Sequence, residues 1–417
     1  MDVRIALVAA AVTLAVIVGG VAVAGDLGGE RGLTERWVSD TETSISANHH
    51  AVVAGAVGGE GLVFAPVSGA ADSAECRLAA LDAATGETRW RNDVPPADCT
   101  IHSVADPALA DVDGDGDSEV LAASTTEELV AYDARTGDVE LQASLSAYGY
   151  GRPAAADLGG DATSEGLVVD AAGTVYAFDP DGERLWTRDL DGNAYAPPGV
   201  GDFTGDGTDE FAVGLGTNEV VLFDAGGEVV WERDAFGESV AWTATADLMG
   251  DGVAEFVVAT TGGTVAALDG ATGDALWTRQ TNRFAAVRAV GDGDGDGGQE
   301  VYVTARDQRL RALDGATGET EWTTDLADGS AQMMPPPSIG DLDGDGAPEV
   351  VAVTNGGTVS VVDPSDGHVV ARYARDETVF THPTLADIDG DGADEVFLPY
   401  ANGRVVSLDY ADDRSDS

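Results

Sequence analysis

The chain has 417 residues, which is too long for one ordinary compact domain unless the fold is a repeat array or a closed ring. Its hydrophobic fraction of 43% can supply a sizeable core, while its 55 glycines and 6% aromatic residues favour short strands and tight turns over helices. Its net charge of −54, with no lysine anywhere, predicts repulsion of nucleic acid and anionic lipid, so neither is a predicted partner.

The N-terminal segment differs from the rest of the chain. Arg4 precedes an uncharged apolar stretch, residues 5–24, that is long enough to span a bilayer as a helix and ends in Ala-Val-Ala, a pattern signal peptidase cuts. Residues 1–25 are therefore predicted to be a transmembrane anchor or a cleaved signal peptide, and their length favours the anchor. Either reading puts the acidic remainder outside the cell, with membrane contact through this segment only. Residues 26–32 are predicted to be a linker.

An acidic loop of the form D-x-D-G-D-G-x-x-E, or a close variant, recurs with a fixed period. In each copy a Glu stands eight residues after the first Asp, and another Asp stands fourteen residues after that Glu. A period in the forties is typical of stacked or circular repeats. The seven loops begin at Asp111, Asp157, Asp202, Asp247, Asp292, Asp341 and Asp387.

One period contains four short strands. In residues 242–277, "WTATA" precedes the acidic loop, and "EFVVAT", "TVAALD" and "ALW" follow it, separated by glycine-rich turns. Four antiparallel strands in some forty residues are typical of a propeller blade. A right-handed solenoid, the alternative, would use shorter repeats and parallel strands.

The ends of the repeat array predict how many blades there are. Residues 60–90 form an additional, degenerate module that lacks the acidic loop, and the final module stops after "RVVSLD" (404–409) without a fourth strand. The segment "LTERWVS" (33–39) resembles the missing strand, with Trp37 at its repeating position. We therefore predict an all-β, eight-bladed β-propeller over residues 33–410, closed by the N-terminal strand and followed by an acidic tail, residues 411–417. Seven blades with a separate cap is the alternative.

The repeats of this chain resemble those of two families. The acidic loops look like the FG-GAP/VCBS repeats of integrin-α-type propellers, and turns such as "ALDGATGDALW" look like PQQ-binding-like, or quinoprotein, propeller repeats. The resemblance covers roughly residues 33–410 and implies the fold more than a function, because propellers host enzymes, adhesins and scaffolds alike. The lysine-free, acid-rich composition resembles secreted proteins of extreme halophiles such as haloarchaea.

The acidic loops are predicted to bind Ca²⁺. Carboxylates at alternate positions converge where glycines let the chain turn, and they repel one another unless a cation neutralises them. Oxygen ligands at positions 1, 3, 5, 7 and 9 suit this hard ion, and by match to the family motif position 9 is the Glu. The four complete loops contain Asp111, Asp113, Asp115, Asp117 (through its carbonyl) and Glu119; Asp292, Asp294, Asp296 and Glu300; Asp341, Asp343, Asp345 and Glu349; and Asp387, Asp389, Asp391 and Glu395.

Three loops depart from the pattern at position 3, where Gly159, Thr204 and Met249 stand. Losing a carboxylate weakens Ca²⁺ binding, and a methionine thioether does not ligate a hard cation. The alternative for these loops is a turn held by Asx-type hydrogen bonds. Their remaining candidate ligands are Asp157, Asp161 and Glu165; Asp202, Asp206 and Glu210; and Asp247, Asp251 and Glu255.

A ligand site is expected where the repeats differ, in the connections from one module to the next. These connections, which include "ANHHA" (47–51), surround one mouth of the central channel in a propeller, a common place for ligands. Ordinary loop packing is the alternative. The candidate ligand-binding residues are Tyr150, Arg152, Tyr195, Trp242, Arg283 and His382.

The sequence therefore predicts an extracellular, calcium-stabilised, monomeric propeller that binds a protein or glycan as an adhesion or scaffold module. The alternative is a PQQ-dependent dehydrogenase. That resemblance implies two adjacent cysteines over the cofactor, whereas Cys76 and Cys99 are 23 residues apart and could instead form a disulfide outside the cell. No catalytic residues are predicted.

Overall fold

Eight four-stranded antiparallel sheets make up the computed structural model, which describes residues 31–159, 163–234, 236–328 and 331–412. Each sheet is one blade, and blades 1 to 7 are each continuous in sequence. Blade 1 contains β2 (Val53–Val57), β3 (Glu60–Val67), β4 (Arg77–Asp82) and β5 (Thr88–Asp93). Blade 2 contains β6 (Ala108–Ala110), β7 (Glu119–Ala123), β8 (Glu128–Asp133) and β9 (Val139–Ser144). A short 3₁₀ helix, Pro96–Asp98, lies between these two blades.

The next three blades repeat this order. Blade 3 contains β10 (Ala154–Ala156), β11 (Glu165–Val169), β12 (Thr174–Phe178) and β13 (Arg184–Asp189). Blade 4 contains β14 (Gly199–Gly201), β15 (Glu210–Gly214), β16 (Glu219–Phe223) and β17 (Val229–Asp234). Blade 5 contains β18 (Val240–Ala246), β19 (Glu255–Thr260), β20 (Thr264–Leu268) and β21 (Ala275–Gln280).

The last blades complete the ring. Blade 6 contains β22 (Ala286–Gly291), β23 (Glu300–Thr304), β24 (Arg309–Asp314) and β25 (Thr320–Asp325). Blade 7 contains β26 (Ser338–Gly340), β27 (Glu349–Val353), β28 (Thr358–Val362) and β29 (Val369–Ala374). Blade 8 contains β30 (Thr384–Ala386), β31 (Glu395–Pro399), β32 (Val405–Asp412) and, outermost, β1 (Arg31–Val38). The predicted eight blades of four antiparallel strands are confirmed, and the alternative of seven blades with a cap is wrong.

Burial within a blade follows the position of each strand. The second strand of blade 5, β19, is buried at all six positions because it packs against blades on both sides. The outermost strand, β21, buries only Trp277 along its length, since its other side chains face solvent. Apolar residues on both faces of the middle strands thus form the core between neighbouring blades.

Blade 8 brings together the two ends of the described chain. Strand β1 pairs antiparallel with β32, with Arg31 opposite Asp412 and a bulge between Glu35 and Trp37. The predicted N-terminal segment, residues 1–25, lies outside the described residues, as do residues 26–30 and 413–417. The described parts of the chain include no helix long and apolar enough to cross a membrane.

Six tryptophans at one register each connect an outer strand to the next blade. Each indole Nε1 donates a hydrogen bond to a backbone carbonyl in the neighbouring blade's turn between its third and fourth strands. A glycine of that turn is required, because Gly273 has φ +70° and a Cβ there would lie 2.7 Å from the Trp231 ring. The six pairs are Trp37–Ala83, Trp90–Ala134, Trp186–Ala225, Trp231–Gly270, Trp277–Gly315 and Trp322–Pro364.

Antiparallel strands put successive connections on opposite faces of the ring. The acidic loops join the first strand of a blade to its second, so they share one face, which we call the loop face. The connections between blades lie on the other face, which we call the channel face, with the turns between second and third strands. Cys76 and Cys99 form a disulfide that ties two connections on the channel face.

Candidate functional site

The acidic loops on the loop face are ordered by their own hydrogen bonds. In the first loop, the Glu119 carboxylate accepts the backbone N–H of Val112 at 2.8 Å. The Asp111 carboxylate accepts the N–H groups of Gly114 and Gly116 at 2.8 and 3.1 Å. The position-9 glutamate makes the equivalent bond in every loop, at 2.7 to 3.3 Å. Asx-type hydrogen bonds, the alternative to metal binding in the loops that depart at position 3, are thus present in the complete Asp111 loop and in the Asp202 and Asp247 loops alike.

Several of these loops also bring three carboxylates close together. Within each of four groups, one oxygen from each residue lies within 4.8 Å of the others. Such oxygen-rich clusters fit the hard-ion chemistry of Ca²⁺. The groups are Asp111, Asp113 and Asp115; Asp202, Asp206 and Glu210; Asp292, Asp294 and Glu300; and Asp341, Asp343 and Asp345. Asp161 lies outside the described residues.

Burial makes the position-9 glutamates costly to ionise without a cation. Glu119 is 2% exposed, and burial raises its pKa to about 7, with Asp113 and Asp111 adding repulsion. Burial likewise raises the pKa of the glutamates at this position in four other loops, Glu210, Glu255, Glu300 and Glu395. A bound cation would offset the cost of keeping these carboxylates charged.

The channel face opens into a cavity of about 790 Å³ whose lining is mostly apolar. Four of the predicted ligand-binding residues line it, and a second cavity of about 490 Å³ lies further along the channel and is lined by the fifth, His382. Arg283 is exposed and lines neither cavity, while its neighbour Phe284 lines the larger one. The four predicted residues in the larger cavity are Tyr150, Arg152, Tyr195 and Trp242.

Aromatic rings dominate the wall of the larger cavity. The rings of Tyr150 and Tyr195 meet edge to face with centroids 5.0 Å apart, and Tyr195 is 43% exposed. Phe284, on the other side of blade 5, is 38% exposed. Exposed aromatic surface inside a concave site, with a few polar groups around it, is typical of ligand-binding cavities.

Asp106, in the connection between blades 1 and 2, lies where the two cavities meet. Its carboxylate Oδ1 accepts hydrogen bonds from His50 Nδ1 at 2.8 Å and from the backbone N–H of Ala51 at 2.9 Å. Burial alone would raise the pKa of Asp106, but the hydrogen bonds from His50 and the Ala51 backbone, with the nearby His382, hold it below its usual value. The Nε2 of His382 lies 4.0 Å from the other oxygen.

Two guanidinium groups also face the channel. Arg288, on β22, donates a hydrogen bond to Ser338 Oγ at 3.3 Å. Burial, with repulsion from Arg152, lowers the pKa of Arg288 to about 10. With Asp106 as the carboxylate facing both arginines, the channel is locally basic within a strongly acidic protein.

Three histidines lie together beside Asp106. His49 Nδ1 lies 2.7 Å from the carbonyl oxygen of Ala47, and His49 Nε2 lies 2.7 Å from His102 Nδ1. Burial, and repulsion from His50, lower the pKa of both His49 and His102 to about 4. Sequence reasoning did not single out His102, Asp106 or Arg288. The adjacent histidines of "ANHHA" were the available signal, because the chain contains only five histidines.

Comparison with known families identifies the repeats. Residues 32–170 and 171–293 match the family model described as outer membrane protein assembly factor BamB, and together they cover more than half of the chain. Residues 257–403 match a model described as the FAM234A/B beta-propeller. A search of curated proteins finds no match.

Solved structures share the fold at low sequence identity. BamB from Moraxella catarrhalis is 14% identical over 90% of this chain and 99% of its own, with a TM-score of 0.60. The V. cholerae biofilm matrix protein Bap1 is 15% identical over 92% of each chain, with a TM-score of 0.66. Quinohemoprotein alcohol dehydrogenase from Comamonas testosteroni is 14% identical over 90% of this chain and 76% of its own, with a TM-score of 0.62. At these identities the likeness shows the fold alone.

Proposed function

Because the chain belongs to the family described as outer membrane protein assembly factor BamB, we propose that it is an extracellular binding or scaffold propeller that takes a segment of a protein or glycan partner at the channel face. The observation that carries this proposal is the cavity of about 790 Å³ and its exposed aromatic lining. Aromatic side chains supply large contact areas at low conformational cost, which suits recognition of a peptide or a sugar ring.

The position of the cavity supports the same proposal. Most of its lining residues lie in connections between blades, and the others lie on β18 and in turns between second and third strands. The connections differ from one blade to the next, whereas the strands and the acidic loops repeat. A unique surface on a repeated framework can recognise one partner, while the framework itself only holds that surface rigid. The proposed partner thus contacts residues that no other blade duplicates, such as Tyr195 and Phe284.

Calcium at the loop face is the second part of the proposal. Loops of FG-GAP/VCBS type would hold Ca²⁺ through the convergent carboxylates described above, and the ions would stabilise the blades without taking part in ligand binding. The acidic, lysine-free composition supports the proposal that this is a halophilic protein located outside the cell. Residues 1–25 would anchor the protein in the membrane or direct its export.

A quinone-dependent reaction is not proposed. The two cysteines are 23 residues apart and joined by a disulfide, so they do not form the adjacent pair that the quinoprotein resemblance implies. The tyrosines, arginines and histidines of the channel fit a binding site that holds no quinone cofactor.

The proposal is tested by screening the full chain against a glycan array and a displayed peptide library in calcium-containing buffer. Binders should lose at least about fivefold in affinity when Tyr195 or Phe284 is changed to Ala, since truncating an aromatic anchor costs more than about 1 kcal/mol. The matched control is Val229→Ala, which truncates an exposed apolar residue on the outer strand of blade 4. Binders that are insensitive to both aromatic substitutions, or the absence of any binder, would contradict the proposal.

A further inference from the structure

We propose that His49, His50 and His102 form a three-histidine site for a divalent transition metal, with Zn²⁺ as the reference ion, at the mouth of the channel. One ring nitrogen from each of the three residues lies within 4.8 Å of the others. The site is on the channel face, separate from the acidic loops, and it uses nitrogen rather than oxygen ligands. It does not depend on the identity of the protein or glycan partner.

The second observation is the state of His50, which is 3% exposed. A carboxylate oxygen can only accept, so the Nδ1 of His50 carries the hydrogen that it donates to Asp106 at 2.8 Å. The Nε2 then has a lone pair, and that buried atom has no hydrogen-bond partner among the described residues. Buried polar atoms are nearly always satisfied, so an orphaned one calls for a missing partner.

Asp106 completes a pattern that is typical of metal sites. Histidine ligands usually donate their second ring N–H to a carboxylate or a backbone carbonyl, which fixes the tautomer and orients the ring. His50 does so with the Asp106 carboxylate, and His49 does so with the carbonyl of Ala47 at 2.7 Å. Both rings thus present the Nε2 lone pair as the ligand atom.

His102 supplies the third nitrogen. Without metal, its Nδ1–H donates to the lone pair of His49 Nε2 at 2.7 Å, which holds the two rings together. A ring nitrogen ligates only through its lone pair, so metal entry requires His102 to lose the Nδ1 hydrogen to solvent and take one up at Nε2. Nitrogen ligands around a tetrahedral Zn²⁺ at 2.0–2.1 Å stand roughly 3.3 Å apart, so metal entry would also separate His49 Nε2 and His102 Nδ1 by roughly 0.6 Å. Both rings are half-buried in connections between strands, where a shift of this size is small.

Ligand chemistry decides the class of ion. Imidazole suits Zn²⁺, Cu²⁺ and Ni²⁺, whereas Ca²⁺ takes oxygen ligands. Three protein nitrogens leave a fourth position for water or a donor atom of a bound ligand, and His49 and His50 both line the large cavity. The charge of Asp106 favours a cation here and that of Arg152 opposes it, within a chain whose net charge is −54.

The test is titration of the full chain with Zn²⁺ by calorimetry, in buffer with excess Ca²⁺ so that the acidic loops are already occupied. One Zn²⁺ should bind tightly per chain. His50→Ala should weaken that binding by at least about 100-fold, and Asp106→Asn by about 10- to 100-fold through its effect on the His50 ring. The half-exposed His49→Gln provides a second ligand variant that leaves the buried pair of His50 and Asp106 intact.

The matched control is His368→Ala, which removes an exposed histidine from a turn on the loop face and should leave the titration unchanged. Co²⁺ gives an independent readout, because three imidazole ligands produce visible absorption that His50→Ala and His49→Gln should abolish. Equal Zn²⁺ binding by wild type and both ligand variants would overturn the proposal. The proposal would also be overturned if the chain took up no more Zn²⁺ than its Ca²⁺-saturated acidic surface binds. Loss of Zn²⁺ binding in the His368→Ala variant would overturn it too.

Discussion

The indole Nε1 of Trp37, on the strand nearest the N-terminus, donates a hydrogen bond of 2.7 Å to the carbonyl oxygen of Ala83 in blade 1. Trp37 is 8% exposed and also contacts Phe397, with ring centroids 6.0 Å apart. One side chain thus joins the last blade of the ring to the first.

Truncation of Trp37 should destabilise the whole ring. Trp37→Ala is expected to lower the free energy of unfolding by about 3–5 kcal/mol because it leaves a cavity between blades 8 and 1. Trp37→Phe keeps most of the packing and should cost less, about 1–2 kcal/mol for the lost hydrogen bond. Urea unfolding measures both, with Val229→Ala as the exposed control. A Trp37→Ala variant as stable as that control would show that β1 is dispensable.

Calcium removal should lower the melting temperature. An ion bound only by the folded chain adds about 2.7 kcal/mol per site at 100 times its Kd. Asp341→Asn and Asp247→Asn are a matched pair, because both carboxylates accept loop N–H groups. They differ in that the Asp247 loop has Met249 at position 3. In Ca²⁺, Asp341→Asn should cause the larger loss, and in chelator the two variants should become similar. Identical losses in both conditions would argue against metal binding.

The metal-free chain should lose stability as the pH rises. Burial raises the pKa of Glu119 to about 7 in the folded chain, so the folded state holds a proton that the unfolded state has released. The free energy of unfolding therefore falls between about pH 4.3, near the unfolded pKa, and about pH 7. Ca²⁺ should remove this trend.

Unfolding of the metal-depleted chain at several pH values and constant high salt measures this dependence. Glu119→Gln should flatten the curve, since a neutral amide replaces the titrating group, whereas Glu87→Gln at an exposed turn should not. A metal-free stability that rises over the same pH range would contradict the expected sign.

Low salt should unfold the protein. With a net charge of −54, self-repulsion grows as the Debye length lengthens from about 3 Å at 1 M to about 30 Å at 0.01 M salt. Circular dichroism on dilution should show loss of the β signal, partly restored by Ca²⁺ at the same ionic strength. Full retention of the signal in dilute buffer without divalent ions would count against a halophilic protein.

The periodic part of the molecule could be predicted from sequence, whereas the aperiodic part could be predicted by position but not in its contacts. The spacing of the acidic loops and the strand pattern around "EFVVAT" predicted eight blades, because each blade packs against its neighbours in the same way and so needs the same sequence pattern. The aromatic wall at Tyr150 and Tyr195 was predicted because both lie in connections between blades. The contact of His50 with Asp106 was missed, since it joins residues 56 positions apart that belong to no repeat.

The pairing of β1 with β32 has a mechanical consequence. Arg31 stands opposite Asp412, so both ends of the described chain leave the ring at the same edge of blade 8. A pulling force applied to the two ends would break the hydrogen bonds between β1 and β32 one after another. It would not load all of these bonds at once, as a shearing force would. We expect blade 8 to rupture first under tension, at a low force, and the remaining blades to unravel from there.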